Sequence, residues 1–110
     1  MSVREPIPQG TLDLLVLNTL DREAELHGFE IAEAIGRRSG NVLQVEEGSL
    51  YPALQRMMIR GWIRGTWGRT AENRRARYYR ITAEGKRQLA RELESYRRVT
   101  GAIAAILQPA

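Results

Sequence analysis

A mainly helical fold carrying one small β-hairpin is what the 110-residue sequence predicts. Apolar residues recur at helical spacing in three early segments and again after Thr82. Between them, Trp62 to Thr82 changes period and reads as two short strands around a polar tip. A chain of this length fits one domain with a modest core, a size at which a second subunit often completes the packing.

Pro6 and Pro8 predict an extended arm. After Gln9-Gly10, Thr11 is placed to cap a first helix through TLDLLVLNTL. There Leu12, Leu15, Val16 and Thr19 fall at helical spacing, and Leu14, Leu17 and Leu20 widen the apolar face. Asp21 to Leu26 is a polar break. A second helix follows His27-Gly28, with Ile31, Ala32 and Ile35 on one face. Arg37-Arg38 suit the dipole of its last turn, and Gly40-Asn41 end it. In the connector, Val42 and Val45 are expected to tuck beneath the helices.

The stretch EEGSLYPALQR combines a cap signal with an apparent helix breaker. Ser49 is expected as the N-cap of a third helix that runs to Arg60 and stops at Gly61. Pro52 is then the third helical residue, where no intrahelical N–H bond is lost. WIRGTW and ARYYRIT are the strands, GRTAENRRA the tip, and Thr82 the cap of a last helix to about Leu107. Leu89, Leu93, Tyr96, Thr100, Ile103 and Leu107 alternate steps of four and three, a heptad seam. So long a helix has little of its own small domain to pack on, which favours dimerisation over intramolecular packing.

Three short helices, a basic hairpin and a long helix give the order of a winged helix-turn-helix with a C-terminal dimerisation helix. The expected division is residues 1–82 for DNA binding and residues 83–110 for the dimer. Charge supports the assignment. Residues 1–55 carry 4 basic and 9 acidic side chains, residues 56–110 carry 13 and 4, and 16 of the 17 basic residues are Arg. Arg makes forked contacts to phosphates and guanine edges. A solvated basic surface, or a coding bias toward Arg, gives the same count, so charge alone leaves both open.

On the third helix Leu50, Leu54 and Met57 share one face and are expected in the core. Pro52, Gln55, Arg56 and Ile59 face away, with Ser49 and Tyr51 at the helix mouth. Tyr51 can donate to a phosphate oxygen, Gln55 can pair with adenine, and Arg56 with guanine or phosphate. In the hairpin, Arg69, Asn73, Arg74, Arg75 and Arg77 concentrate charge that an anion would relieve. DNA contact is preferred for both sets over a plain cap, a packing tyrosine, or a solvated loop partnered by Glu72. Tyr79 is expected in the core and His27 as a structural cap. Trp62 and Trp67 are expected in the wing base, the alternative being an aromatic ligand pocket across a dimer. Glu23, Glu25, Glu30 and Glu33 read as a solvated face that repels DNA.

With no Cys, thiolate metal sites and disulfides are excluded, and with one His a His-based metal cluster or catalytic triad is not expected. No cofactor, metal or enzymatic activity is expected, and GRTAENRRA lacks the spacing of a phosphate loop. The start, MSVREPIPQG, lacks the apolar core of a signal peptide, and no apolar run approaches the ~20 residues of a membrane span. The expected location is cytoplasmic.

The motifs QGTLDLLVLNTL, HGFEIAEAI, EEGSLYPALQRM, GWIRGTW and ENRRARYYRITAEGKRQL occur in that order. Together they closely resemble the PadR family of bacterial transcriptional regulators, in its subgroup with a short C-terminal region. The resemblance implies a winged-helix DNA-binding domain and a homodimer through the last helix. It also implies repression of promoters, relieved in many members by small aromatic or amphipathic ligands. One departure is RMMIRG, where relatives carry RLEEEG; Met58, Ile59 and Arg60 make this end more apolar and basic. The function expected is a sequence-specific, ligand-responsive repressor. The alternative is a winged-helix adaptor for proteins, without DNA binding.

Overall fold

The computed structural model describes residues 4–8 and 10–109. Gln9 and the first residues of the arm lie outside that range. The elements are β1 (Glu5–Pro6), α1 (Leu12–Arg22), β2 (Leu26–His27), α2 (Gly28–Arg38), β3 (Leu43–Gln44), α3 (Glu47–Ile59), β4 (Ile63–Arg69), β5 (Arg75–Ile81) and α4 (Ala83–Leu107). Strands β2, β5 and β4 form one antiparallel sheet in that order, and β1 pairs with β3 in parallel. The result is mostly helical with a small antiparallel wing, as the hydrophobic periods predict.

The core is where the helical patterns intersect. Leu14, Val16, Leu17 and Leu20 of α1 meet Ile31 and Ile35 of α2, Leu50, Leu54 and Met57 of α3, and Trp62, Ile63, Tyr79 and Leu89. Each fully buried Leu, Ile or Met contributes roughly 1.5–3 kcal/mol by leaving water. Thr19 joins them because its hydroxyl donates back to the Leu15 carbonyl at 2.7 Å, so no polar group is stranded.

Several ends differ from expectation. Thr11 stands at the N-cap of α1, but its hydroxyl donates to the Pro8 carbonyl and caps nothing. Val42 is 44% exposed, since in the two-residue pairing with β1 it is Leu43 that turns inward. Ser49 is no cap: α3 begins earlier, with Glu46 at the N-cap and Ser49 third in the helix. Glu46 accepts from the N–H groups of both Ser49 and Leu50, and the acidic Glu47 suits the positive helix end. Pro52 is therefore the sixth helical residue, and its missing N–H does leave the Gly48 carbonyl without a helical donor. Gly48 is exposed, so solvent can replace that donor.

The last helix opens as expected. Thr82 accepts from the Gly85 N–H at 3.0 Å, and its hydroxyl donates to the Gly61 carbonyl at 2.6 Å. One side chain thus caps α4 and ties it to the turn after α3.

Candidate nucleic-acid interface

Helix α3 buries Leu50, Ala53, Leu54 and Met57 against the core, which leaves Ser49, Tyr51, Pro52, Gln55, Arg56 and Ile59 exposed. Tyr51 is 47% exposed and lies across the first residue of α2. A Cβ on Gly28 would come within 2.8 Å of its ring and hydroxyl, so glycine is what lets the ring seat there. Arg56 reaches back across the fold, its Nη2 2.6 Å from Asp13 Oδ1. The pair is half exposed on the Arg56 side and links the first turn of α1 to the outer face of α3.

In the wing, register decides which side chains stand together. Gly65 pairs with Tyr79, Trp67 with Arg77 and Arg69 with Arg75, so all six project from one face. Tyr79 is buried at the base of that face, and burial pushes its hydroxyl above its ordinary value of 10.0. The Arg77 charge opposes that shift and Tyr51 reinforces it. Toward the tip the face opens: Arg75 stacks on Trp67 at 4.3 Å and Arg77 at 5.5 Å. Arg69 and Asn73 serve the turn itself. Arg69 donates to the Asn73 carbonyl at 3.1 Å, and Asn73 takes the left-handed φ of 63° that the hairpin needs. Arg74 and Arg75 are exposed beside them.

The mouth of α3 and this face of the wing share one open cleft of about 520 Å³. Tyr51, Phe29, Trp67, Arg74, Arg75 and Arg77 line it. The fold thus brings Tyr51 beside three wing arginines that are distant in sequence, while Ser49, Pro52, Gln55, Arg56, Arg69 and Asn73 lie outside this cleft.

Other assignments change. Trp62 is in the core, but Trp67 is 59% exposed rather than part of the wing base. Glu30 completes a capping box with His27: its Oε1 accepts from the His27 N–H, and His27 Nδ1 accepts from the Glu30 N–H. Glu23 pairs with Arg37 and Glu25 with Arg80. His27 also packs edge-on against Tyr78 with ring centres 5.3 Å apart, a structural role. Of RMMIRG, Met58 is half-buried against the core, Ile59 is 77% exposed, and Arg60 lies over Trp62 at 5.2 Å. Phe29, at 64% exposure beside Tyr51, and Asp13 escaped the sequence argument. An aromatic in the first turn of an otherwise amphipathic helix was the available signal for Phe29.

On α4, Leu89 is buried in its own chain's core, while Leu93 packs against that core and stays partly exposed. Beyond them Tyr96 is 45%, Val99 54%, Ile103 50%, Ile106 81% and Leu107 75% exposed. Thr100 donates to the Tyr96 carbonyl, which hides its hydroxyl within the helix. An apolar cleft of about 290 Å³, lined by Leu14, Leu15, Leu93 and Tyr96 among others, adjoins the start of this stripe. Among the described residues no helix is long and apolar enough to cross a membrane, and no group of three or more potential metal ligands occurs.

Comparison with known proteins agrees with this geometry. An uncharacterised protein of Lysinibacillus sphaericus is 32% identical over 97 residues, covering 88% of each chain. A transcriptional regulator of Clostridium thermocellum superposes with a TM-score of 0.82 at 26% identity, over 91% of this chain and 96% of that one. A PadR-like transcriptional regulator of Bacillus cereus gives 0.76 at 29%, over 93% and 96%. The family model for PadR-like transcriptional regulators matches residues 16–91, which hold all of α2, α3 and the wing: the chain belongs to the PadR-like family of transcriptional regulators.

Proposed function

We propose that the chain is a sequence-specific DNA-binding repressor that acts as a cytoplasmic homodimer and answers to a small aromatic or amphipathic effector. The observation that carries the DNA-binding part is the shared cleft: Tyr51 of α3 and Arg74, Arg75 and Arg77 of the wing line the same opening. In such a fold the third helix enters the major groove and the wing meets the flanking backbone. Ser49, Pro52 and Tyr51 then approach phosphate, Gln55 and Arg56 approach base edges, and Arg74, Arg75 and Arg77 grip the backbone. Arg69 and Asn73 act mainly by shaping the tip. Arg56 must exchange or share Asp13 to reach a base. The exposed apolar end of α4 supports a dimer, with Tyr96, Thr100, Ile103 and Leu107 facing the partner, and the adjoining apolar cleft supports an effector site.

The test is selection of bound duplexes from a random pool, followed by binding across a salt series. A repressor of this kind enriches a two-fold symmetric site, and log affinity falls steeply with log salt. Tyr51→Ala and, separately, Arg74→Ala with Arg75→Ala weaken binding by roughly tenfold or more each, the worth of one or two charge-assisted hydrogen bonds. No enrichment, or binding indifferent to salt, would favour the protein-adaptor alternative and overturn the proposal.

A further inference from the structure

We infer that Trp67 is a positioning residue for the DNA contact. Its indole holds the guanidinium groups of Arg75 and Arg77 as a fixed pair that clasps one stretch of phosphodiester backbone against the mouth of α3. The inference rests on the DNA-binding proposal above and goes beyond it in naming how the wing is organised to act.

Trp67 is 59% exposed although an indole gains much by burial, so its position calls for a partner. Two guanidiniums already use it: Arg75 stands 4.3 Å and Arg77 5.5 Å from the ring centre. These arginines are two apart on β5 and project from the same face, where like charges repel. The electron-rich face of the indole offsets that repulsion and takes away the freedom of two long side chains. A free arginine must lose this freedom on binding, so ordering it beforehand raises affinity.

Arg77 is fixed from below as well. It crosses β4 over Gly65, where an added Cβ would lie 2.6 Å from its Nε and 3.0 Å from the Met58 sulfur. Only glycine leaves that path open. The Arg77 Nε is buried and has no hydrogen-bond partner in the protein. Tyr51 lines the same cleft, its phenol seated over Gly28. Two forked cations ordered on one indole, with a hydroxyl lining the same cleft, match a phosphate: guanidinium and hydroxyl donate to the non-bridging oxygens.

The experiment is a mutant cycle on the full chain, using a duplex selected as above and fluorescence anisotropy. Trp67→Ala is expected to weaken binding roughly tenfold, the worth of two exposed cation–π contacts, and Trp67→Phe to restore most of it. Trp67→Leu keeps the apolar bulk without the ring, and binds as poorly as Trp67→Ala. Removing Arg75 and Arg77 together lowers the slope of log affinity against log salt by about two, at ~0.9 per phosphate. In that background Trp67→Ala costs nothing further, because the ring acts through the arginines. Wild-type affinity for Trp67→Leu overturns the inference and leaves the DNA-binding proposal standing. So does a Trp67→Ala loss that is the same with and without the arginines. If the wild-type chain binds no duplex, both fall. Circular dichroism of each variant separates a lost clasp from an unfolded wing, and Trp67→Phe carries the comparison if Trp67→Ala does not fold.

Discussion

At the scale of single residues, Tyr51 and Gly28 act as a unit. The tyrosine ring is held at the helix mouth because no side chain at position 28 occupies its seat. Gly28 has no left-handed backbone angle to excuse it, so an alanine there is accommodated by the helix and even favoured by up to ~1 kcal/mol in propensity. What cannot stay is the ring, whose exposed end can swing away from a new methyl group. Gly28→Ala is therefore expected to leave the melting temperature near or above that of the wild type. DNA affinity is expected to fall roughly tenfold, to the level of Tyr51→Ala, by loss of one charge-assisted hydrogen bond. Binding at wild-type strength in Gly28→Ala would show that the seat does not matter. Such pairings are what the sequence hides: Tyr51 was legible as a residue at a helix mouth, but nothing in it says that it leans on Gly28. Asp13 and Arg56 are likewise 43 positions apart, and only the crossing of α1 and α3 makes them neighbours.

At the scale of elements, α3 shows how a strong local signal misplaces a boundary. Ser49 is a preferred cap, but Glu46 has the extended backbone and the carbonyl that two following N–H groups use. A helix starting at Glu47 buries the same Leu50, Leu54 and Met57, so the hydrophobic pattern could not separate the two starts, and boundaries carry little burial energy. The consequence falls on Pro52, which then costs a helical hydrogen bond. Interior proline costs about 3 kcal/mol, reduced by about 1 kcal/mol because it also stiffens the unfolded chain. Pro52→Ala is expected to stabilise the protein by about 1–2 kcal/mol in denaturant titration, with the slope unchanged. A loss of stability would mean that the ring packs against something worth more than the missing bond. The strands were easier to read, since β-branched and aromatic alternation through RYYRIT has one register that buries Tyr79 and Ile63. Trp67 was expected in the wing base but is exposed, because the face it shares with Ile63 is closed over the core at Ile63 and open at the tip.

At the scale of the molecule, the long axis of 57 Å is more than twice the shortest, 22 Å. Helix α4, at 25 residues, spans about 37 Å and accounts for the extension. Its first turns belong to the body through Gly85 and Leu89; its last turns carry Val99, Ile103, Ile106 and Leu107 into solvent. The heptad spacing was legible in the sequence, but not the point along it where intramolecular burial ends, since burial depends on what α1 covers. This exposed apolar stripe is the surface that the proposed second copy would cover. Val99 and Ile106 alternate with Tyr96 and Ile103 in steps of three and four, so the exposed face carries a second heptad line beside the Thr100–Leu107 edge. Ile103→Arg combined with Leu107→Arg places two charges in that stripe and is expected to yield a folded monomer in sedimentation equilibrium, with circular dichroism unchanged. Operator binding then falls by about 100-fold or more, because two tethered half-site contacts become one. A variant that remains dimeric at wild-type concentrations would move the interface off the end of α4. A monomer that binds the operator at full strength would instead remove the two-fold logic from recognition, leaving one α3 and one wing to read the site alone.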